Sequence, residues 1–189
     1  MNDRKKWEER YDRPDFVHGP QASEFLSSNA GFLPRCGLAL DLASGEGRNS
    51  IFLAERGIHV IAVDISARAL DKCLSRAREL KLPVDVAAVD LAAFPVAQKM
   101  FDVIVVFNYL QRSLAPAIIG GLKPGGLLVY ETLTTDHLIW NAEFNREFLL
   151  KRGELAGLFR GLHIFKYRET VLSGRQSKRA VASLIAKKV

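Results

Sequence analysis

The sequence predicts an α/β protein: a Rossmann-like, doubly wound, mostly parallel seven-stranded sheet with a C-terminal antiparallel edge hairpin. Three observations carry this expectation. Short apolar runs alternate with helical patterns from Leu38 to Glu131, the signature of strands joined by crossover helices. Phe101 to Phe107 is the most apolar run, as a strand buried on both faces reads, which places it near the centre of the sheet. The last two strand patterns, His163 to Val171 and Ala180 to Ala186, have no helix between them and must pair antiparallel.

The 189 residues suit one domain spanning 1–189, a size that buries roughly 70% of the unfolded surface. Within it the pattern divides into an N-terminal helical cap (1–34), a ligand-binding core (36–133), and a final part (134–189) made of a lid segment, a short helix and the hairpin.

Each element follows from local chemistry. Trp7–Tyr11 and Gln21–Asn29 have helical character and polar surfaces. Leu38–Leu42 is a short apolar strand, followed by a glycine turn at Gly45–Asn49 and a helix Ser50–Arg56 with Ile51, Phe52 and Ala54 inward. Gly57 is its stop signal. His59–Val63 is a second strand, and Ser66 is placed to cap the helix Ala67–Leu80. Val84–Val89 is the third strand and Phe101–Phe107 the fourth. Ala115–Leu122 reads as a helix ending at Lys123-Pro-Gly-Gly126, with Leu127–Glu131 the fifth strand. Residues 132–150 lack periodicity, and core packing is the expected role of Trp140 among them. Glu154–Phe159 is a short helix, and Ser173-Gly174-Arg175 is the hairpin turn.

Composition excludes several classes. The longest apolar runs are strand-length, far below the roughly 20 residues of a membrane helix. The opening MNDRKKWEERYDR has no apolar core and so reads as no secretory signal, which points to the cytoplasm. Cys36 and Cys73 form no CxxC, and the four histidines (His18, His59, His137, His163) show no ligand spacing, so no metal site is expected. The formal charge is +6, part of it in Arg175, Lys178, Arg179, Lys187 and Lys188. A solvated edge hairpin with charged gatekeepers accounts for that cluster.

The most informative stretch is Leu40-Asp-Leu-Ala-Ser-Gly45-Glu-Gly47-Arg-Asn-Ser50. Two glycines between a strand and a helix allow positive φ and close approach of a ligand to the backbone. The third position of the dinucleotide fingerprint is Ser50 rather than glycine. Asp64 ends the second strand 19 residues past Gly45, close to the spacing of an acid that binds ribose hydroxyls. Loop and acid together indicate an adenosine-bearing cofactor. Asp41 lies just before the glycines, where it would repel a pyrophosphate but favour the ammonium of a methionine tail. A nicotinamide-dependent Rossmann oxidoreductase therefore fits less well than a sulfonium binder, and 189 residues leave little room for its second domain.

At these residues the chain resembles the class I S-adenosylmethionine-dependent methyltransferases. LDLASGEGRNS is similar to their first motif, VIAVDIS to the second, AAVDLAAFP to the third, FDVIVVFNYLQR to the fourth, and LKPGGLLVYET to the loop and fifth strand, together covering about residues 36–133. The resemblance implies S-adenosyl-L-methionine as cofactor. Its binding residues would be Asp41, Ala43, Gly45, Gly47, Arg48 and Asn49 in the first motif, Asp64 on the ribose with Ile65 on adenine, Asp90 and Leu91 at the adenine edge, and Asn108 near the methionine part. WEERY, GRN, YLQR and NREFLLKRGELAGLF narrow the likeness to the small tellurite-resistance-type and thiopurine-type enzymes. The tellurite-resistance type carries a His-Arg pair where this chain has Leu172-Ser173-Gly174-Arg175, so that type's substrate does not carry over.

The acceptor is expected to be a small molecule: a thiol, a thiopurine or a chalcogen oxyanion. Because ligands sit beyond the carboxyl ends of such strands, the candidate catalytic residues are Tyr109 as a wall of the methyl pocket, Arg112 as a fork for an anionic substrate, and Glu131 as a general base. Tyr11 and Trp7 are lid residues over the cofactor. The fourth strand ends Asn108-Tyr-Leu, without the Asn/Asp-Pro-Pro-aromatic motif of amino-methylating nucleic-acid enzymes. An RNA or nucleic-acid methyltransferase therefore stays an alternative resting on charge alone. A monomer or weak homodimer, with no membrane partner, completes the expectation.

Overall fold

The computed structural model describes residues 3–173 and 178–189. Its seven strands are β1 (Leu38–Leu42), β2 (His59–Asp64), β3 (Val84–Ala88), β4 (Phe101–Phe107), β5 (Leu122–Leu133), β6 (His163–Ser173) and β7 (Lys178–Lys187). They form one sheet in the order β3-β2-β1-β4-β5-β7-β6. The first five pair in parallel, and β7 is antiparallel to both β5 and β6. The strand order reverses between β1 and β4, and ligands of open α/β sheets bind beyond the carboxyl ends at such a switch point.

Helices cover both faces: α1 (Asp3–Tyr11), α2 (Glu24–Ser27), α3 (Arg48–Glu55), α4 (Ala67–Glu79), α5 (Ala115–Gly121) and α6 (Glu154–Leu158). The pleat sorts side chains between two cores. Val103, Val105 and Phe107 join Phe25, Ile51, Leu53 and Ala77 under α2, α3 and α4. Ile104 and Val106 join Leu128, Tyr130, Ile118 and Phe159 under α5 and α6. Val103 through Val106 are wholly buried, each contributing roughly 1.5–3 kcal/mol by leaving water. This is why β4 reads as continuous apolar sequence rather than as alternation.

Most expected elements are present, with instructive shifts. Ser66 caps α4, its Oγ accepting the Ala69 amide at 3.3 Å. Gly57 ends the α3 region with φ of +88°. Helix α3 starts at Arg48, two residues before the expected Ser50, because the αL conformation of Gly47 turns the chain directly into it. Strand β5 starts at Leu122 rather than Leu127: Leu122 pairs with Phe101, and Gly125 N–H donates to the Lys188 carbonyl at 2.7 Å. Residues 132–150 hold two 3-10 turns, Thr135–Ile139 and Arg146–Phe148. Trp140 is 40% exposed rather than packed in the core. Of the expected hairpin turn, Gly174 and Arg175 lie outside the described residues.

The basic C-terminal end is not simply a solvated edge. Lys188 Nζ donates to the carbonyls of Ile119, Gly120 and Leu122 at 2.8–3.2 Å, placing a cation on the carbonyls that α5 leaves unpaired. Arg179 is half-buried and turns inward, as described below. No helix among the described residues is long and apolar enough to cross a membrane.

Candidate active site

The glycine loop joins β1 to α3 and is held open by its own hydrogen bonds. Ala43, Gly45 and Gly47 have φ of +56°, +53° and +76°. Ser44 N–H donates to the Val63 carbonyl at 3.0 Å, and Gly47 N–H to the Ser44 carbonyl at 3.1 Å. Gly45 N–H donates to Asp64 Oδ2 at 2.8 Å, while Asp64 Oδ1 accepts the Ser66 amide at 2.9 Å. The expectation that the Gly45 and Gly47 amides hold the cofactor is thus corrected. Both are engaged within the loop, and what the glycines offer is close approach. Gly47 also lies against Cys73, whose sulfur stands where a Cβ would go. Replacing Gly47 by Ala should therefore lower stability by roughly 2–4 kcal/mol through αL strain and overpacking. Urea unfolding checks this, and Gly47→Ala/Cys73→Ala should recover only the packing part.

Asp64 is buried, and burial raises its carboxyl above the usual range against the pull of the Ser66 and Gly45 amides. Asp41, below the loop, is fully buried and accepts the Ser50 hydroxyl at 2.6 Å. Burial pushes it up to about 7, the Ser50 bond opposing and the Asp64 charge assisting. Ser44 Oγ in the same loop is buried without a hydrogen-bond partner among the described residues. Cradle, free lone pairs on Asp64 and orphaned Ser44 hydroxyl fit an adenosyl cofactor with a polar tail. Along the crevice, Ile65 is half-buried, Asp90 accepts the Ala92 amide at 2.9 Å, and Leu91 is buried beside it.

Residues 3–23 strap down over this cradle. Tyr11 is buried, stacks on Trp7 at 5.9 Å, and puts its hydroxyl 2.8 Å from where a Cβ of Gly45 would sit. Burial, with Asp64 and Glu46 nearby, raises that phenol. Glu8 accepts from Ala67 N, Arg68 N and Ser66 Oγ, capping α4. Glu46 accepts the Val17 amide and pairs with Lys72, both at 2.7 Å. Arg76 donates to the Pro20 carbonyl at 2.8 Å. Arg68, Lys72 and Arg76 recur every four residues, so one face of α4 carries the clasp. Asn49, expected to bind cofactor, instead accepts the Ser23 amide at 2.9 Å and anchors the strap. Removing residues 1–19 should weaken S-adenosylhomocysteine binding about tenfold while the sheet stays folded, since enclosure strengthens polar contacts. Calorimetry giving unchanged affinity would remove the strap from cofactor binding.

The acceptor side is built differently from the sequence reading. Arg112 does not face the crevice. Its guanidinium donates to both Glu154 carboxylate oxygens (2.6 and 3.1 Å) and to the carbonyls of Glu147 and Leu149. It ties α6 and the 147–149 turn to β4's end and is not free to hold a substrate. Glu131 is also corrected as a base: its carboxylate accepts from Ser183 Oγ at 2.7 Å and faces Ser23 and Arg168. Tyr109 is half-buried and donates to Gln111 Oε1 at 2.5 Å. Burial, then the charges of Asp90 and Asp64, push it up to about 12.

Two arginines stand at this end of the sheet instead, Arg48 at the start of α3 and Arg179 near the start of β7. Asn108, in αL with φ of +58°, accepts from Arg179 through Oδ1. Arg48 donates to the His18 carbonyl at 3.4 Å. Burial lowers both guanidinium groups, and Arg48 also feels Arg179. His137, lowered by burial and by Arg179, has a buried, unpartnered Nδ1 among the described residues and packs edge-on against Phe144. Arg179 was missed as a site residue. Its signal lies in topology: β7 runs antiparallel to β5, so the start of β7 lies at the carboxyl ends of the parallel strands.

Residues 39–126 match the methyltransferase domain family. Fold and cradle are those of Rossmann-like methyltransferases, and the chain is similar to TehB. It is 27% identical over 164 residues to the probable S-adenosyl-L-methionine-dependent methyltransferase TehB of Haemophilus influenzae, covering 79% of this chain and 56% of the relative. It is 31% identical over 164 residues to Hemagglutinin 1 of Eikenella corrodens, covering 79% and 54%. The chain thus spans about half the length of these curated relatives. The fold is shared with crystalline TehB of H. influenzae (TM-score 0.74, 18% identity, 98% of this chain and 67% of that one). It is also shared with geranyl diphosphate C-methyltransferase of Streptomyces coelicolor, solved with Mg2+, geranyl diphosphate and S-adenosyl-L-homocysteine (0.73, 17%, 100% and 99%).

Proposed function

We propose that this protein transfers the methyl group of S-adenosylmethionine to a small anionic acceptor, with a thiolate, a thiopurine or a chalcogen oxyanion the classes that suit it. The observation that carries the reading is the placement of Arg48, at the start of α3, and Arg179, near the start of β7 and bonded to Asn108, at the carboxyl ends of the parallel strands. Guanidinium forks stay charged at any working pH and match planar or tetrahedral anions. When bound, S-adenosylmethionine supplies a methyl carbon activated by a sulfonium, which departs as a neutral thioether with the bonding electron pair.

The chain's own residues then have three tasks. Asp64 and the glycine loop hold the adenosyl part, and the strap closes over it. Arg48 and Arg179 hold the acceptor's charge and aim its nucleophilic atom. Strap and 134–150 segment keep water out. Alignment of this kind is worth about 7–11 kcal/mol of the barrier. An acceptor that arrives as an anion needs no proton removed, which agrees with Glu131 being fully engaged elsewhere.

The test is mass spectrometry of the purified protein for co-bound S-adenosylmethionine or its demethylated product. Methyl transfer to a panel of thiols, thiopurines and chalcogen oxyanions follows, each paired with a neutral analogue. Turnover of anionic members only is expected. Equal turnover of neutral analogues would sink the reading.

A further inference from the structure

Glu46 lies between the two loop glycines, is 6% exposed, and divides its carboxylate between two other elements. Oε2 accepts the Val17 amide of the strap and Oε1 accepts Lys72 Nζ of α4, both at 2.7 Å. Lys72 donates in turn to the Asp15 carbonyl at 3.3 Å and lies 5.9 Å from the centre of the Phe16 ring. Loop, strap and α4 thus meet at one carboxylate. Further along, the strap is rooted: the Pro20 carbonyl accepts from Arg76, and the Ser23 amide donates to Asn49. Gly19, at φ of +71°, separates the arm held at Val17 from this root. Glycine turns there at low steric cost and can absorb a swing of the arm. With the arm down, the Tyr11 hydroxyl stands over Gly45, and Gly45 itself is buried. A ligand reaches that stretch of backbone when the arm lifts.

Resting on the reading that the cradle holds S-adenosylmethionine, we infer that Glu46 is a positioning residue: the latch through which the strap closes over the cofactor and governs its entry and exit. The carboxylate belongs to the loop, so the turn that shapes the cradle also fixes the latch. Its bond to the Val17 amide is charge-assisted, the stronger kind, and it breaks when the arm swings out. Lys72 stays with Glu46 in both arrangements, because loop and α4 belong to the same packed body, and it gives up the Asp15 carbonyl. The freed amide and carboxylate oxygen turn to water. Opening therefore costs a solvated hydrogen bond rather than a stranded buried charge, which leaves the arm free to open for cofactor and product.

A latch leaves a kinetic signature that a merely structural residue does not. The closed arm slows entry as well as exit, so weakening the latch should speed both. Lys72→Gln does this from α4, where the side chain is 22% exposed. It removes the contact to Asp15 and leaves Glu46 without its counter-ion in the closed form. Surface plasmon resonance with S-adenosylhomocysteine reads the two rates. The dissociation rate should rise on the order of tenfold, the scale of one charge-assisted hydrogen bond lost. The association rate should rise with the fraction of open molecules. Glu46→Gln, which keeps one acceptor oxygen but no charge, should behave alike. A residue that only shapes the loop would speed dissociation and slow association. Association unchanged or slowed in Lys72→Gln overturns the proposal, and that variant decides even if Glu46→Gln does not fold. The underlying reading fails separately. If the wild-type protein does not bind S-adenosylhomocysteine, the cradle reading and the latch fall together. If it binds and Lys72→Gln does not speed association, only the role of Glu46 is lost.

Discussion

Asp64→Ala is expected to raise the dissociation constant of S-adenosylhomocysteine by about a hundredfold or more. The carboxylate offers charge-assisted acceptors to a vicinal diol, each bond worth roughly 1.5–3 kcal/mol. It also organises the cradle, because its oxygens accept the Gly45 and Ser66 amides. Alanine removes the ligand contact and leaves two amides unpaired at the loop and at the start of α4. Asp64→Asn should cost less, since its carbonyl oxygen still accepts one amide while its NH2 cannot accept the other. Calorimetric titration of both variants reads the difference. A change below threefold in Asp64→Ala would show that the ribose lies elsewhere.

The second large effect belongs to Arg179. Arg179→Gln should lower kcat/KM for an anionic acceptor about a hundredfold or more, the loss of one or two charge-assisted bonds made in the transition state. The dissociation constant of S-adenosylhomocysteine should stay within about threefold, because the Asp64 cradle does not include Arg179. Arg179→Lys should recover little, since an ammonium keeps the charge but not the fork. Steady-state kinetics beside cofactor titration checks this. A parallel loss of cofactor affinity would place Arg179 on the methionine side, and undiminished turnover would remove it from the site.

The cofactor half of the site was legible because it is local. Gly45, Gly47 and Asp64 lie within one βαβ unit, so strand and helix patterns suffice to bring them together. The acceptor half was not. Arg112 reads as a substrate fork from its place after β4, yet Glu154, 42 residues later, captures it. Asn49 reads as part of a cofactor motif, yet Ser23 of the strap takes its side chain. Glu131 at a strand end reads as a free base until β7 brings Ser183 beside it. Each mistaken role came from a partner distant in the chain.

From the order of residues alone follow the strand–helix alternation, the buried centre at β4, the glycine turn with its acid, and the antiparallel return at the end. These rest on periodicity and backbone stereochemistry, which act over a few residues. Only the folded chain decides that Arg179 donates to Asn108, that Arg112 and Glu131 are engaged elsewhere, and that residues 3–23 pack over the cradle. Charge and hydrogen-bond partners are chosen by distance in space, and that distance is set when β7 inserts between β5 and β6.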